Sequence, residues 1–303
     1  MFVRLESLDG IRTIEEPLHL AMGVFDGVHI GHRTVIQEAI NSAQSMGGKA
    51  MVVTFFPHPI RVIAPEKAPD TLLATIREKA AVIEDMGADG IVVLPFDKAF
   101  AKTQANDFIE RLCENDVKSI SVGEDWRFGR ERSGDVVALQ KMSSEYGFRL
   151  NSVRSVMLDG ERVSSTRIRQ AIRDGNFEAA KRMLGRPYSI SGVVVQGRKI
   201  GRELGFPTAN LRLGELQVPM NGVWAVEVNG RYRGVANLGF RPTFNGSERL
   251  LEVHLFDFEG DLYGKGLKVV FDKYIREEMK FESKEDLQRQ IALDVERAQK
   301  VTP

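Results

Sequence analysis

Several residues and patterns are scarce in this sequence, and each shortage excludes a class of protein. Cys113 is the single cysteine among 303 residues, which excludes an intrachain disulfide and a metal cage built of thiolates. No apolar run approaches the ~20 residues that a membrane helix needs, and the first residues lack the apolar stretch of a signal peptide. We therefore expect a cytoplasmic protein without a membrane partner.

Charge of one sign is not in excess either. Lysine and arginine together number 42, and so do aspartate and glutamate, which makes the formal net charge zero. A general nucleic-acid-binding protein normally carries a basic excess, so we expect no nucleic-acid partner. The hydrophobic fraction of 43% supports well-packed cores, and the length is enough for about two domains.

Residues 1–185 alternate short apolar runs with amphipathic segments. The predicted strands are Leu18–Met22, Ala50–Phe56, Gly90–Leu94 and Ser119–Val122, and the predicted helices between them cover 32–46, 75–86, 104–114 and 134–146. This order predicts a Rossmann-like α/β domain, whose parallel sheet carries helices on both faces. Ligands of such sheets bind at the carboxyl ends of the strands.

Residues 186–303 change to short alternating runs separated by turn signals. The predicted strands are Ser189–Val195, Val223–Val228, Tyr232–Leu238, Leu250–Phe258 and Leu267–Ile275. Turn signals stand at 221–222, 229–230, 245–246 and 259–261, and the first three are Asn-Gly pairs typical of hairpins. The pattern predicts an antiparallel β-barrel or sandwich that ends in a helix from Ser283 to Lys300. We place the domain boundary between residues 185 and 186.

The most informative motif is Gly-Val-Phe-Asp-Gly-Val-His-Ile-Gly-His at residues 23–32, between the first predicted strand and a helix. A strand that turns through glycines into a helix N-terminus suits an anion, because free backbone N–H groups and the helix dipole point outward. His29 and His32 would lie on one side of this turn and can donate to phosphate oxygens, while Asp26 can orient a ring or a hydroxyl. Simple capping of the helix by the histidines is the structural alternative. The arrangement resembles the His-x-Gly-His motif of the nucleotidyltransferase superfamily, whose histidines stabilise charge on the phosphates of ATP.

Three further segments of the same half carry polar or aromatic groups at predicted strand ends or helix starts. His58 is held between two prolines after the second strand, and a glycine-flanked turn at 123–129 places Trp126 and Phe128 beside charges. That turn suits a flat heterocycle or a ribose. The hydroxyls and arginines of residues 164–169 open a helix and suit phosphate. The alternatives are a plain loop histidine, a buried loop anchor and simple N-capping.

The second dense motif is Gly-Arg-Lys-Ile-Gly-Arg-Glu-Leu-Gly-Phe-Pro-Thr-Ala-Asn at residues 197–210. The chain has no Walker P-loop, so we interpret this segment as a glycine-rich basic loop that wraps phosphates with its backbone N–H groups. Thr208 and Asn210 at its end supply neutral oxygens, which Mg²⁺ accepts together with substrate phosphates. A loop without a metal is the alternative.

Glu252 lies in the predicted strand 250–258, where a period of two places it on one face with His254 and Phe256. A carboxylate beside aromatic rings can have a raised pKa and act as a general base. The alternative is a solvent-facing partner of a neighbouring strand.

Together these segments resemble the bacterial bifunctional riboflavin kinase/FAD synthetase family over nearly the whole chain. The second half adds further motifs of that family: Gly-Arg-Glu-Leu-Gly-Phe-Pro-Thr-Ala-Asn-Leu at 201–211, Gly-Val-Ala-Asn-Leu-Gly at 234–239, Arg-Pro-Thr-Phe at 241–244, Glu-Val-His at 252–254 and Phe-Glu-Gly-Asp-Leu-Tyr-Gly-Lys at 258–265. Motif order, spacing and the change of domain all agree with that family. Trp126 and Trp224 depart from it, since phenylalanine and tyrosine are expected at these positions.

The resemblance implies two reactions. The second half would transfer the γ-phosphate of ATP to riboflavin and give FMN, and the first half would join FMN to AMP from ATP and give FAD and pyrophosphate. It also implies that Thr208 and Asn210 hold Mg²⁺ with ATP, and that Glu252 takes the proton from the ribityl hydroxyl. His29 and His32 would act on the ATP phosphates at the other site.

The resemblance further implies a set of binding residues. The nucleotide-binding residues would be Gly23, Phe25, Asp26, Gly31, Ser164, Ser165, Thr166, Arg169, Gly201, Gly205, Thr208 and Asn210, and the flavin-binding residues His58, Asp125 and Arg276. We expect riboflavin, FMN and ATP as partners of a monomer or transient homo-oligomer. Two rivals remain. One keeps the kinase but has a first half that adenylylates nicotinamide mononucleotide or a pantetheine phosphate, and the other is a flavin-binding or regulatory protein with inactive sites. The second rival would require the loss of a phosphate-site residue, and the sequence shows no such loss.

Overall fold

The computed structural model describes residues 2–69, 71–197, 200–213, 220–243 and 246–301. The contacts divide the chain into two compact units: Met1–Pro69 with Ala74–Ser165, and Asp70–Leu73 with Thr166–Pro303. This division assigns residues 166–184 to the second unit, and the boundary that the sequence predicts between 185 and 186 stays a prediction.

The first unit is an α/β structure around a parallel sheet. Its strands are β1 (Val3–Leu5), β2 (Leu18–Met22), β3 (Lys49–Phe56), β4 (Gly90–Pro95), β5 (Val117–Gly123) and β6 (Arg149–Val153), followed by the hairpin of β7 (Met157–Leu158) and β8 (Glu161–Arg162). Its helices are α1 (Leu8–Ile11), α2 (Ile30–Met46), α3 (Pro59–Ile63), α4 (Ile76–Asp85), α5 (Ala105–Cys113) and α6 (Val136–Tyr146). The four predicted strands and four predicted helices are confirmed with small shifts of their ends, while β1 and β6 at the sheet edges were not predicted.

The sheet is buried on both faces, which explains its near-continuous apolar strands. Leu20 and Met22 of β2 pack into one core cluster, and Ala21 between them packs into the other. Val53 and Val52 of β3 divide between the same two clusters. Cys113, at the end of α5, packs against the first cluster, and burial raises the pKa of its thiol to about 11. Cys113 therefore contributes to the packing around this cluster.

The strand order β1-β4-β3-β2-β5-β6 determines where this unit can bind a ligand. From β2 the chain runs outward to β3 and β4, and then returns to place β5 on the other side of β2. Ligands of parallel sheets bind where the order reverses, at the carboxyl ends of the strands. The motif at 23–32 follows β2 directly, and the turn at 123–129 follows β5, so both motifs lie at this reversal.

The second unit contains a closed antiparallel barrel in the order β10-β13-β12-β11-β14-β9, and this excludes the sandwich alternative. Along the chain come α7 (Ser165–Arg173), α8 (Phe177–Leu184), β9 (Ser189–Val195), α9 (Ile200–Glu203), β10 (Thr208–Arg212), β11 (Gly222–Val228), β12 (Tyr232–Thr243), β13 (Gly246–Leu255), β14 (Gly266–Arg276) and α10 (Lys284–Val301). Two predictions need correction. Strand β10 replaces the end of the predicted loop, and β13 ends at Leu255 because the chain turns at Phe256 and Asp257.

Local signals account for the ends of several elements. The hairpin predicted at 229–230 joins β11 to β12, and Ser283 caps α10 by accepting a hydrogen bond from the N–H of Asp286 at 3.1 Å. Asn245 of another predicted turn lies outside the described residues. Trp224 packs edge-on against Phe177 with ring centroids 4.9 Å apart, so this departure from the family pattern lies in a core. Among the helices described, none is long and apolar enough to cross a bilayer.

Candidate active sites

The turn between β2 and α2, which we call the histidine turn (residues 23–32), has an unusual backbone. Phe25, Gly27 and Val28 have φ angles of 50, 78 and 42°, all in the left-handed region. Such angles cost a non-glycine residue of order 1–3 kcal/mol and concentrate at functional sites. His29 then caps α2, because its Nδ1 accepts a hydrogen bond from the N–H of His32 at 3.2 Å. The capping alternative thus holds for His29, and it also presents both rings at the helix N-terminus.

The two histidine rings stack on each other with centroids 3.5 Å apart and planes inclined by 18°. Phe25 meets the His32 ring edge-on at 5.3 Å. A Cβ at Gly23 would lie 2.9 Å from the Phe25 ring and one at Gly31 would lie 3.3 Å from the His29 ring, so side chains there would disturb the stack. The two glycines therefore preserve the geometry of the rings.

Burial lowers the pKa of His32 well below its ordinary value, and the charges of His29, Lys79 and Arg162 lower it further. His32 is therefore neutral at pH 7. Its Nδ1 is buried and has no hydrogen-bond partner among the described residues. Because buried polar atoms are normally hydrogen-bonded, this nitrogen indicates a place for a ligand.

Lys79 of α4 supplies a buried positive charge beside the histidine turn. Its side chain is 5% exposed, and its Nζ donates a hydrogen bond to the carbonyl of Val24 at 2.8 Å. Burial lowers the pKa of Lys79 to about 8, against the opposing attraction of Asp26, which is also buried. Lys79 is therefore mostly protonated at pH 7, so it supplies a positive charge at this site that the neutral His32 does not.

The predicted residues of the helix start at 164–169 have separate surroundings. The Ser165 hydroxyl donates to the carbonyl of Asp26 at 2.9 Å, which joins it to the histidine turn. The Nε of the buried Arg169 donates to the carbonyl of Thr71 at 2.8 Å. Ser164 is half-buried and Thr166 is exposed on the first turn of α7.

His58 and Asp125, the predicted flavin contacts of this unit, already have protein partners. His58 caps α3, with its Nδ1 accepting from the N–H of Ile60 at 3.3 Å, and Asp125 forms an ion pair with Arg162 at 2.7 Å. Beside Asp125, Trp126 stacks on the buried Phe128 at 4.3 Å. This stacking favours the alternative in which the aromatic pair anchors the turn to the core.

The second candidate site is a cavity of about 340 Å³ that strands of the barrel line together with α10. This volume lies in the range of small-molecule sites. The polar side chains that line the cavity are Thr208, Asn210, Asn237, Glu252, His254, Arg276, Glu278 and Asp294. Glu252 and His254 thus share a face, as the period of two predicts, and the half-buried Glu252 is one of the residues that line the cavity.

Three of these side chains come together through strand register. Glu252 of β13 pairs with Asn210 of β10 on one side and with Asn237 of β12 on the other. Directly paired residues have Cβ atoms about 4.5–5.5 Å apart, so the three form a continuous polar row. The Oδ1 atoms of Asn210 and Asn237 are buried and lack a hydrogen-bond partner in the part of the chain that is described. We call this set the barrel row (Asn210, Glu252 and Asn237).

The segment 197–210, predicted as a phosphate-binding loop, contains the short helix α9 and the start of strand β10. Residues 198–199 of it lie outside the described residues. Gly201 lies in α9, and its carbonyl accepts a hydrogen bond from the N–H of Phe206 at 2.7 Å. Gly205 turns the chain with a φ of 86°. Thr208 then begins β10, so Thr208 and Asn210 are held by a sheet and not by a loop.

Arg276, at the end of β14, is fixed by the C-terminal helix. Its Nε and Nη2 bind the carboxylate of Asp294 at 2.9 and 2.7 Å, and Asp294 is 2% exposed. A bidentate pair of this kind fixes orientation as well as charge. Glu278 also lines the cavity, and burial raises its pKa although Arg249 and Arg276 oppose the shift.

Sequence reasoning missed Lys79, Asn237 and Asp294. Each is a polar residue at a position that its own element otherwise gives to apolar residues, such as Lys79 between Ile76 and Ile83 of α4. A polar residue at an otherwise apolar position was therefore the sequence pattern from which these three residues could have been identified. It shows that such a residue is buried without showing what it contacts.

Comparisons with known proteins match the two halves of the chain separately. A family model for FAD synthetase matches residues 11–167, and one for riboflavin kinase matches residues 184–302. A crystal structure described as a macrolide-efflux protein from Streptococcus pneumoniae is 30% identical, has a TM-score of 0.81, and covers 100% of this chain and 99% of its own. That match shows the same fold.

Curated relatives extend the similarity over both halves at once. The bifunctional riboflavin kinase/FMN adenylyltransferase of Haemophilus influenzae is 42% identical over 300 residues, which are 97% of either protein. The Escherichia coli K12 protein of the same description is 43% identical over 92% of this chain and 91% of its own. Since both family models match in chain order and the relatives are covered almost completely, this chain belongs to the bifunctional riboflavin kinase/FMN adenylyltransferase family.

Proposed function

We propose that the two activities of this family are divided between the two units: FMN is made in the barrel cavity and FAD at the histidine turn. The chain converts riboflavin to FMN and FMN to FAD, as both family models and the relatives indicate. One observation supports the division. Each unit has its own buried polar atoms without partners among the described residues, His32 Nδ1 in one and the barrel-row Oδ1 atoms in the other.

In the barrel, Glu252 acts as the base for phosphoryl transfer. It takes the proton of the terminal ribityl hydroxyl of riboflavin as that oxygen bonds to the γ-phosphorus of ATP, and the bond to ADP breaks. Its place at the centre of the barrel row, inside the cavity, supports this role. A positioned base contributes a factor of ~10²–10⁴ to such a rate.

The Asn210 end of the barrel row fits Mg²⁺. The buried, unpartnered Oδ1 of Asn210 and the hydroxyl of Thr208 are neutral oxygens of the kind this cation accepts. When bound with ATP, Mg²⁺ would neutralise charge on the phosphates. Gly201 and Gly205 would lie on the nucleotide side of the same end.

At the histidine turn, ATP places its phosphates against the N-terminus of α2. A phosphate oxygen of FMN bonds to the α-phosphorus, and pyrophosphate leaves. His29 and the neutral His32 offer hydrogen bonds to the phosphates, while Lys79 supplies positive charge beside the turn. Such transfer depends on positioning and on stabilisation of charge, which these groups provide.

The remaining assignments follow the same division. Gly23, Phe25, Asp26, Gly31, Ser164 and Ser165 would serve the nucleotide of the first unit, His58 and Asp125 its flavin, and Arg276 the flavin of the barrel. Thr166 and Arg169, which belong to the second unit, stay predicted nucleotide-binding residues. We propose a cytoplasmic monomer or transient homo-oligomer that binds no nucleic acid. The zero net charge supports the absence of a nucleic-acid partner, and the single cysteine supports the cytoplasmic location.

A single incubation tests the overall proposal. Purified protein with riboflavin, ATP and Mg²⁺ should yield FMN first and FAD later on chromatography, and FAD directly when FMN is supplied. Nicotinamide mononucleotide and pantetheine phosphate should neither be adenylylated nor inhibit FAD formation. Calorimetry that finds only one nucleotide bound per folded chain at saturation, with flavin present, would contradict the two-site division.

A further inference from the structure

Strand β12 carries a polar residue that the functions assigned above leave without a role. Val235, Asn237 and Gly239 of this strand all line the barrel cavity, as every second residue of a strand should. Asn237 is the polar member of this set. Its Oδ1 is buried and has no hydrogen-bond partner among the described residues, so the cavity presents an unused acceptor at this position.

The position of this acceptor relative to Glu252 indicates which ligand it meets. Asn210 pairs with Glu252 from the side of Thr208, where the proposed function places ATP and Mg²⁺. Asn237 pairs with Glu252 from the opposite side. A hydroxyl that gives its proton to Glu252 and attacks a phosphate on the Asn210 side must enter from the Asn237 side. The part of the substrate next to that hydroxyl therefore passes Asn237.

The chemistry of riboflavin supplies a donor at that place. The reacting terminal hydroxyl is followed along the ribityl chain by a carbon that carries a secondary hydroxyl. Neighbouring strands lie ≈ 4.7–4.9 Å apart, so a group beside the reacting oxygen is within hydrogen-bonding reach of the adjacent strand's side chain. An isolated carbonyl oxygen in a cavity is well suited to accept from such a hydroxyl.

We propose that Asn237 is a specificity-determining residue of the kinase site. Its Oδ1 accepts a hydrogen bond from the secondary hydroxyl adjacent to the one that is phosphorylated. The bond selects substrates with an intact polyhydroxyl chain and aligns the terminal hydroxyl with Glu252. This inference rests on the proposed role of Glu252 as the base.

A substrate that lacks the secondary hydroxyl isolates this contact. A site built to bond a hydroxyl discriminates against the analogue without it, because a buried acceptor is left unpaired. We expect wild-type protein to prefer riboflavin over 4′-deoxyriboflavin by about 10–100-fold in kcat/KM. Asn237→Leu, which keeps the size but removes the acceptor, should lower kcat/KM for riboflavin by a similar factor and leave that for 4′-deoxyriboflavin nearly unchanged. Asn237→Asp keeps an acceptor and should retain the preference, even where repulsion from Glu252 slows both substrates.

Controls separate this contact from general damage to the barrel. Adenylyl transfer to supplied FMN should be unchanged in each variant, and Glu227→Leu, on the exposed face of β11, should change neither activity. An equal loss for both substrates in Asn237→Leu, or an equal preference in that variant and wild type, overturns the proposal. If Glu252→Gln keeps full kinase activity, the proposed base is wrong instead, whatever the Asn237 variants show.

Discussion

The histidine turn and the barrel row bring polar groups together by different means. The turn takes its two histidines, its aspartate and its glycines from ten consecutive residues, and left-handed backbone with a helix N-terminus presents them. The barrel row takes its members from three strands, at positions 210, 237 and 252, and only their pairing makes them neighbours. A site of the first kind can be identified as a motif in the sequence, whereas a site of the second kind depends on register.

The two sites also differ in charge. The histidine turn has a buried lysine beside a neutral histidine, which suits the binding of phosphates whose charge grows during reaction. The barrel row has one carboxylate between two amides, which suits the removal of a proton. Changes that affect one site and spare the other therefore test the comparison, and each protein molecule carries its own control activity.

The largest effect is expected from Glu252→Gln. The substitution keeps the size of the side chain and the register of β13 but removes the base, so FMN formation should fall by ~10²–10⁴. FAD formation from supplied FMN should not change, which coupled assays on one preparation would measure. A kinase rate within a few-fold of wild type would show that another group takes the proton.

Removal of both histidines of the turn should have the opposite selectivity. His29→Ala with His32→Ala should lower FAD formation by at least ~10², since one preorganised donor is typically worth ~10²–10³. FMN formation should stay at the wild-type rate. Loss of both activities in protein that remains folded by circular dichroism would refute the assignment of separate sites.

Lys79→Met should have a smaller effect on the same reaction. Methionine fills the buried space, but the charge and the hydrogen bond to the Val24 carbonyl are lost, so kcat/KM for adenylyl transfer should fall about 10–100-fold. Lys49→Met is the matched control, because Lys49 pairs with Asp89 at the surface of the same unit. Equal effects of the two substitutions on kcat/KM would contradict the proposed role of Lys79 in adenylyl transfer.

The pH dependence of adenylyl transfer should reflect the titration of Lys79. Because kcat/KM reports the free enzyme, it should fall as pH rises above about 8, where Lys79 loses its proton, and Lys79→Met should lack this decline. Deprotonation of Lys79 cannot cause this decline by destabilising the fold. A lysine whose folded pKa is lowered from 10.5 binds fewer protons than the unfolded chain between about pH 8 and 10.5, so its contribution to stability rises with pH there. A flat profile up to pH 10 would contradict the role of Lys79.

Local patterns predicted much of the fold. Apolar runs such as Leu18–Met22 and Ser189–Val195 form strands with the predicted bounds, because alternation and burial act over a few residues. Strand β10 was missed because Thr208–Arg212 follows a glycine- and proline-containing segment that resembles a loop. The edge strand β6 was missed since it is less buried than the strands at the centre of the sheet.

For the sites, sequence alone determined the contiguous motifs: two histidines at a helix start, hydroxyl and amide oxygens at 208 and 210, and a carboxylate at 252 within a strand. Tertiary structure decided which side chains these motifs meet, since the buried cation beside His32 comes from residue 79 and the second amide beside Glu252 from residue 237. The physical reason is range. Turn geometry, capping and alternation depend on neighbours within a few residues, whereas strand register and the desolvation of a lysine arise only when distant segments pack together.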